Sequence, residues 1–394
     1  MKGDATTSLG LIGLVICVVN VSCQRSVEHF DLAEQRGVAY LLSQQAVDGL
    51  WHSPNYGNLK DGAAITALVL YALSDASLED PTAIRRAVDS LAAEIRENGY
   101  VTNPDGPDYT NYGSAMLLKV IYQNHWETAD DLATILENYL LDAQLDNEDG
   151  FSKSNPDFGG WDLTGYMTGP RPTTGTNVSV TAEVLEALAI ANNSKTKADP
   201  KSQANTITDG DAKMKEAFEK ARVWIKRTRN PDGGFHFHPQ SNHVGNKAGW
   251  PDPKDRSQPL SYGTATADGL RLLIASGESP ESPSVSETVG WLMERPELNH
   301  VPGFNDSQKP GSWANGLRFY YYQSLSRSLQ LFPTDTGQRI AKQIINQLEA
   351  EQHPNGSWTN ENARMREDDP LIATSFAIIA LQNCRAFLQQ QSER

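Results

Sequence analysis

The chain predicts an all-α fold, a single α/α toroid built from six helical hairpins. Three observations predict it. Helical periodicity runs through nearly everything after the N-terminal segment, and strand-like alternation is scarce. The helical segments come in pairs, the first amphipathic with one charged side, the second rich in Ala, Leu, Val and Ile. One phrase also occurs near both ends: QQAVDGLW at 44–51 and EQHPNGSW at 351–358. Each contains Gln, three residues, Gly, one residue, Trp: Gln45, Gly49, Trp51, and Gln352, Gly356, Trp358. A looser copy, RNPDGGF at 229–235, puts Arg229 in the Gln slot and Phe235 in the Trp slot. Repeats of this kind set the architecture before any single helix does.

The elements follow in order. An amphipathic helix over 31–45 leads into the first phrase, and 61–74, containing ITALVLYAL, is apolar on nearly every side. AIRRAVDSLAAEIRE makes 81–97 amphipathic, and it is followed by 112–123. The third pair is 128–145 and 178–191, and the fourth is 212–229 and 264–276. The fifth is 285–295 and 313–331, the sixth 336–352 and 370–387 with its IATSFAIIAL run. A helix with a charged face is half exposed and one apolar all round is buried. The first members therefore form an outer layer and the second members an inner one around a central cavity. The Gly of each phrase supplies a backbone conformation that other residues resist. The Gln amide can hold free carbonyls at the helix end, and the Trp covers the turn.

Composition bounds the function. With 394 residues, 39% of them hydrophobic, the chain can bury a large core. A net charge of -15 with no basic stripe argues against nucleic acid and against adsorption to anionic lipid. Residues 1–23 read as an export signal: 9–21 is apolar but too short to span a bilayer comfortably, and small residues precede Cys23. Lys2 is offset by Asp4. VNVSC also fits a lipoprotein signal at Val21 and Ser22, with Asn20 where Leu is usual, so lipidation of Cys23 would tether the protein to a membrane. The expected place is the periplasm or cell envelope. The toroid domain then spans 24–394. Three cysteines exclude a disulfide framework and a multi-Cys zinc site, and no cofactor is expected. Cys384 reads as a small buried hydrophobe.

The repeated phrase and the six-hairpin order together resemble the prenyltransferase and squalene cyclase superfamily. The resemblance covers about 31–387. SYGTATADGLRLLIAS (261–276) and GLRFYYYQSLSRSL (316–329) look like segments of bacterial squalene-cyclase-like proteins. It implies the terpenoid-cyclase toroid and an apolar or aromatic cavity. It also implies an acid: cyclases of this kind carry an Asp-x-Asp-Asp motif whose middle Asp protonates an alkene. MREDDPLIATSF matches at Asp368 and Asp369, with Arg366 and Glu367 in the first two positions. The alternative is that Asp369 N-caps a helix opened by Pro370, with Asp368 and Glu367 meeting the helix dipole. Prenyltransferases of the superfamily hold zinc with Asp, Cys and His, and no suitably placed Cys exists here.

Long loops point to a mouth. The stretches 151–177 and 236–261 join outer to inner helices, as do 51–60, 101–111 and 305–312, so all emerge on one face. The first two carry Trp161, Tyr166, His236, His238, His243 and Trp250, and read as a lid or as packing around the rim. The stretch 192–211 lies on the opposite face and reads as a solvated loop. His236, His238 and His243 have a spacing that can ligate a metal, though polar-loop histidines are more often solvated. Tyr112, Trp161, Trp250, Tyr262, Trp313 and Tyr320 are the candidate ligand-binding residues, with core packing as the plainer account. The favoured reading is an exported toroid binding an apolar or glycan-like small molecule in its cavity. Two alternatives stay open: a terpenoid-cyclase-like enzyme on a prenyl substrate, and a carbohydrate-active α/α barrel with two carboxylates across its mouth.

Overall fold

The computed structural model of the protein describes residues 32–57, 62–76, 78, 80–101, 109–124, 129–164, 175–198, 209–240, 245–252, 254–309 and 311–393. The outer helices are α1 (32–43), α3 (Thr82–Asn98), α5 (Asp130–Asp142), α7 (Asp209–Thr228), α9 (Pro283–Met293) and α12 (Thr334–Glu351). The inner helices are α2 (Ala63–Leu73), α4 (Thr110–Asn124), α6 (Val178–Ala198), α8 (Gly263–Ala275), the pair α10 (Trp313–Gly316) and α11 (Arg318–Ser326), and α13 (Pro370–Ser392). Inner helices touch in the order α2, α4, α6, α8, α11, α13 and back to α2, which closes the ring.

The two layers follow from residue spacing. In α3 the buried residues are Ile84, Ala87, Leu91, Ala92 and Ile95, one stripe at three- and four-residue intervals. In α2 every residue but Tyr71 is buried. Burying both faces of the inner helices removes apolar area from water on two sides, at roughly 25 cal/mol per Å².

The turns between layers repeat in atomic detail. Trp51 Nε1 donates to the Leu41 carbonyl at 2.6 Å, and Trp358 Nε1 donates to that of Leu348 at 2.7 Å. Both rings are fully buried. Gln45 Nε2 donates to Gly49 O and to Ala83 O, on the next outer helix, at 2.8 and 2.7 Å. Gln352 does the same to Gly356 O and Ala33 O at 2.9 and 2.8 Å, so the last turn is fastened to the first helix. Gly49 and Gly356 sit at φ 88° and 91°, and a Cβ at either would meet a carbonyl of that next helix, Arg86 or Arg36.

A third full copy was hidden from the sequence pattern. Gln144 donates to Gly159 O and Ala217 O, both at 2.9 Å, and Trp161 Nε1 donates to Leu140 O at 2.7 Å. An inserted loop separates its Gln from its Gly, so the phrase does not read in line. The Arg229 copy also holds: Phe235 is buried, Gly233 has φ 85°, and Arg229 reaches Ser284 O and Glu287 on the next outer helix. In all four copies the residue in the Trp slot donates its backbone N–H to an inner-helix threonine: Thr66, Thr181, Thr266 or Thr374.

Two elements differ from the sequence expectation. The inner helix expected over 313–331 is broken after Gly316 and ends in a 3-10 turn, Leu329–Leu331. The cause is Glu367, whose buried carboxylate accepts from Phe319 N at 3.2 Å, Tyr320 N at 2.8 Å and Asn360 Nδ2 at 2.9 Å. It supplies the acceptors that a new helix start lacks. The stretch 192–211 is not wholly a loop, because α6 continues to Ala198 and α7 begins at Asp209.

Candidate functional site

The inner helices begin around a central pocket of about 220 Å³. Its apolar wall is Ile65 and Leu68 from α2, Tyr112 from α4, Val180 from α6, Trp313 from α10, Tyr320 from α11, and Ile372 and Phe376 from α13. The loops add Tyr109, Leu163, Phe237, Lys247, Arg364, Met365 and Arg366. Among the described lining residues there is no carboxylate, and there are three cations. A larger groove of about 1100 Å³ runs outside the ring over α5 and α7 and is lined by charged and amide groups such as Asp142, Glu148, Glu216 and Asn138.

Each cation engages an aromatic face. Lys247 Nζ lies 3.3 Å from the Phe237 ring centroid and 5.3 Å from that of Trp313. Arg364 Cζ is 5.3 Å from the Trp313 centroid, and Arg366 Cζ is 5.1 and 5.2 Å from those of Tyr56 and Tyr109. Such contacts hold a cation without neutralising it. Lys247 has no ion pair among the described residues. Burial brings its pKa down to about 7, opposed only by the more distant Asp268.

Two further observations converge on the pocket. Tyr112 Oη and Arg366 Nη1 are buried with no hydrogen-bond partner among the described residues. The non-glycine residues with positive φ among the described residues are Tyr109 at 54° and Arg366 at 60°, and both line the pocket. Orphan polar groups and strained backbone are uncommon in folded proteins and gather at functional sites.

Beneath the pocket the ring is filled by ions. Asp268 accepts from Tyr320 Oη at 3.0 Å and Ser179 Oγ at 2.8 Å, both from pocket-lining residues, and from Ser324 Oγ at 2.5 Å. Arg271 joins Asp268 at 2.8 Å to Glu183 and Glu186, each at 2.6 Å. Arg327 and Lys119 also bind both glutamates. The cluster balances three cations with three anions. Burial would raise the glutamate pKa values, yet Arg271, then Arg327 and Lys119, hold Glu183 well below its ordinary range. Asp268 is pushed up by burial, against Arg271 and its hydroxyl donors.

No family model matches the chain, and no curated protein does. Solved structures do. The type II terpene cyclase MstE from Scytonema superposes with a TM-score of 0.59 at 15% identity, over 91% of this chain and 99% of that one. A protein from Actinoplanes gives 0.54 at 17% identity, over 90% and 99%. A glycosidase in complex with glucose gives 0.54 at 11% identity, over 92% and 98%. This chain has the squalene-cyclase-like α/α toroid fold. Identities this low carry the fold and leave the activity to the site.

Within the toroid, Tyr112, Trp313 and Tyr320 are brought together on the pocket wall. Trp161, Trp250 and Tyr262 are not. Trp161 is fully buried in the third turn, doing there what Trp51 and Trp358 do. Tyr262 is buried at the start of α8 with its ring tilted against Phe304, centroids 5.1 Å apart. The Trp250 ring lies under Arg256 at 4.8 Å. The lid expectation is thus corrected in its residues: among the described residues, Leu163, Asn177, Phe237 and Lys247 are what 151–177 and 236–261 give to the pocket.

Asp369 N-caps α13, accepting from Leu371 N at 2.9 Å, and also accepts from Ser53. Asp368 accepts from the Tyr56 hydroxyl, and burial together with Asp368 pushes that hydroxyl up to about 12. Neither aspartate is on the pocket wall. His238 lies 3.2 Å from Asp157 and accepts from Gln240 N, and buried His236 is brought down to about 4 by burial. Tyr166, His243 and Cys23 lie outside the described residues. The sequence reading missed Lys247, Phe237, Phe376 and the ionic floor. Charged residues inside otherwise apolar inner helices were the available signal for the floor.

Proposed function

We propose that the protein binds a small molecule with an apolar body and an oxygen-bearing head in the pocket at the toroid mouth. The observation that carries this is the pairing of an aromatic wall, with no carboxylate among its described residues, with two donors that have no partner among the described residues, Tyr112 Oη and Arg366 Nη1. Burying a donor without an acceptor costs about 1–3 kcal/mol, which a ligand oxygen would recover. The pocket is smaller than the ~300–1,000 Å³ of drug-sized sites, so it suits one short apolar segment with the remainder at the mouth. In the Scytonema cyclase, structures hold geranylgeranyl dihydroxybenzoate as substrate and merosterolic acid A as product. Those ligands combine an apolar chain with an oxygenated head and support the same ligand class here.

A glycosidase-type reading would need two carboxylates facing each other across the mouth. A cyclase reading would need a protonated acid touching the substrate, and Asp268 is screened by Tyr320 and Ser179 and holds hydroxyl and guanidinium donors. Binding is therefore favoured over either chemistry. Native mass spectrometry with geraniol, geranic acid and maltotriose tests it. Geraniol or geranic acid should be retained and lost on Trp313→Ala or Phe376→Ala; retention of maltotriose alone would overturn the reading.

We further propose export, with the mature chain beginning at Cys23 and lipidated there. The support is the apolar run and small residues before Cys23. Intact-mass measurement of the native protein checks it: a diacylglycerol adduct on an N-terminal Cys23 is expected, and a chain retaining Met1 would refute it.

A further inference from the structure

Two lysines lie within the ring, Lys119 fully buried and Lys247 half-buried on the pocket wall, and their surroundings differ. Lys119 is shared between Glu183 and Glu186, whose carboxylates hold its ammonium against the burial and the neighbouring Arg327 that bring its pKa down to about 8. For Lys247, among the described residues, the nitrogen meets the rings of Phe237 and Trp313 and no carboxylate. The other charged or titratable groups on that wall are Arg364, Arg366, Tyr109, Tyr112 and Tyr320, with Asp268 behind Tyr320.

We infer that Lys247 is a nucleophilic amine which captures an apolar aldehyde in this pocket as an imine. Desolvation of this amine, on a wall with no carboxylate among the described residues, disfavours its ammonium form, and desolvated lysines of this kind form Schiff bases with carbonyl compounds. Burial agrees, placing the Lys247 pKa near neutrality at about 7. The step balances without any other reactant. The nitrogen lone pair adds to the carbonyl carbon and the C=O π pair moves to oxygen. Both N–H protons then leave with that oxygen as one water, and a C=N bond remains. The Tyr112 hydroxyl, which has no partner among the described residues, is the group on the wall placed to donate to the departing oxygen. Reach selects the substrate: a short polar aldehyde gains nothing from the aromatic wall, whereas a prenyl or aryl aldehyde does.

This inference rests on the proposed pocket, and the experiment separates the two. The protein is incubated with geranial, or with glyoxylate as the polar control, trapped with cyanoborohydride and mapped by peptide mass spectrometry. Geraniol, which has no carbonyl, is tested for binding in parallel. Geranial should label Lys247 at least tenfold faster than the exposed lysines Lys213 and Lys226. Glyoxylate should show no such preference. Lys247→Arg, which keeps the charge, and Lys247→Met should both abolish the fast adduct while keeping helical content. If geraniol binds yet geranial labels Lys247 no faster than the surface lysines, the amine is inert and the inference is overturned alone. If geraniol does not bind either, the pocket reading falls with it.

Discussion

Replacing Gln144 by Ala tests how the ring is fastened. Its amide nitrogen makes two hydrogen bonds at 2.9 Å, to Gly159 O in its own turn and to Ala217 O on the next outer helix. The residue is 2% exposed, so water does not take the place of the amide. A net hydrogen bond contributes about 0.5–1.5 kcal/mol, and a carbonyl left buried without a donor costs about 1–3 kcal/mol. Two orphaned carbonyls, partly relieved by relaxation, give an expected loss of about 2–4 kcal/mol. Gln45 and Gln352 make the same pair of bonds but are only partly buried, so their alanine variants should lose about 1–2 kcal/mol. Urea unfolding followed by far-UV circular dichroism reads the midpoint, with an unchanged slope certifying that stability alone has moved. If Gln144→Ala unfolds within about 0.5 kcal/mol of the parent, or if the two partly buried positions cost more, the fastening account is wrong.

Other consequences follow. Trp161→Ala should cost about 3–5 kcal/mol of stability, because it empties a fully buried turn, while Trp313→Ala should weaken ligand binding at little cost to folding; the two losses are read by urea midpoint and ligand titration. Arg271→Met leaves Asp268, Glu183 and Glu186 with less positive charge in a buried site and should destabilise by about 3–5 kcal/mol, measured the same way. Burial raises Glu367 from 4.5 to about 7, so the folded state holds that proton more tightly than the unfolded chain does. Its contribution is complete below about pH 4.5 and is lost as pH rises through about 7. Glu367→Gln, which keeps an acceptor for Tyr320 N, should flatten that decline in a series of urea midpoints from pH 4.5 to 8; an unchanged slope would exclude Glu367 as its source.

The fold was legible because its rules are local. Trp51 and Trp358 lie in turns where Gln, Gly and Trp keep a fixed spacing, and apolar runs such as 65–73 announce inner helices. The third turn escaped because fifteen positions separate Gln144 from Gly159, so spacing no longer linked them and Trp161 read as a loop aromatic. The site was legible only in part. Tyr112, Trp313 and Tyr320 could be placed because each lies on an inner helix near its start. Lys247 sits in a Gly- and Asn-rich loop whose path depends on contacts far along the chain, and nothing in its neighbours' identities signals an aromatic wall. In sequence Glu367 reads as part of a local acidic run with Asp368 and Asp369, although its carboxylate serves a helix start almost fifty residues earlier.

The central claim is that the aromatic pocket at the toroid mouth is the ligand site. A crystal structure of the protein soaked with geranic acid tests it most directly. The account predicts electron density for the chain between Tyr112, Trp313 and Phe376, with the carboxylate within hydrogen-bond distance of Arg366 Nη1 or Tyr112 Oη. Density for the ligand only on the outer groove over α5 and α7, with Arg366 Nη1 and Tyr112 Oη still unpartnered, would contradict it.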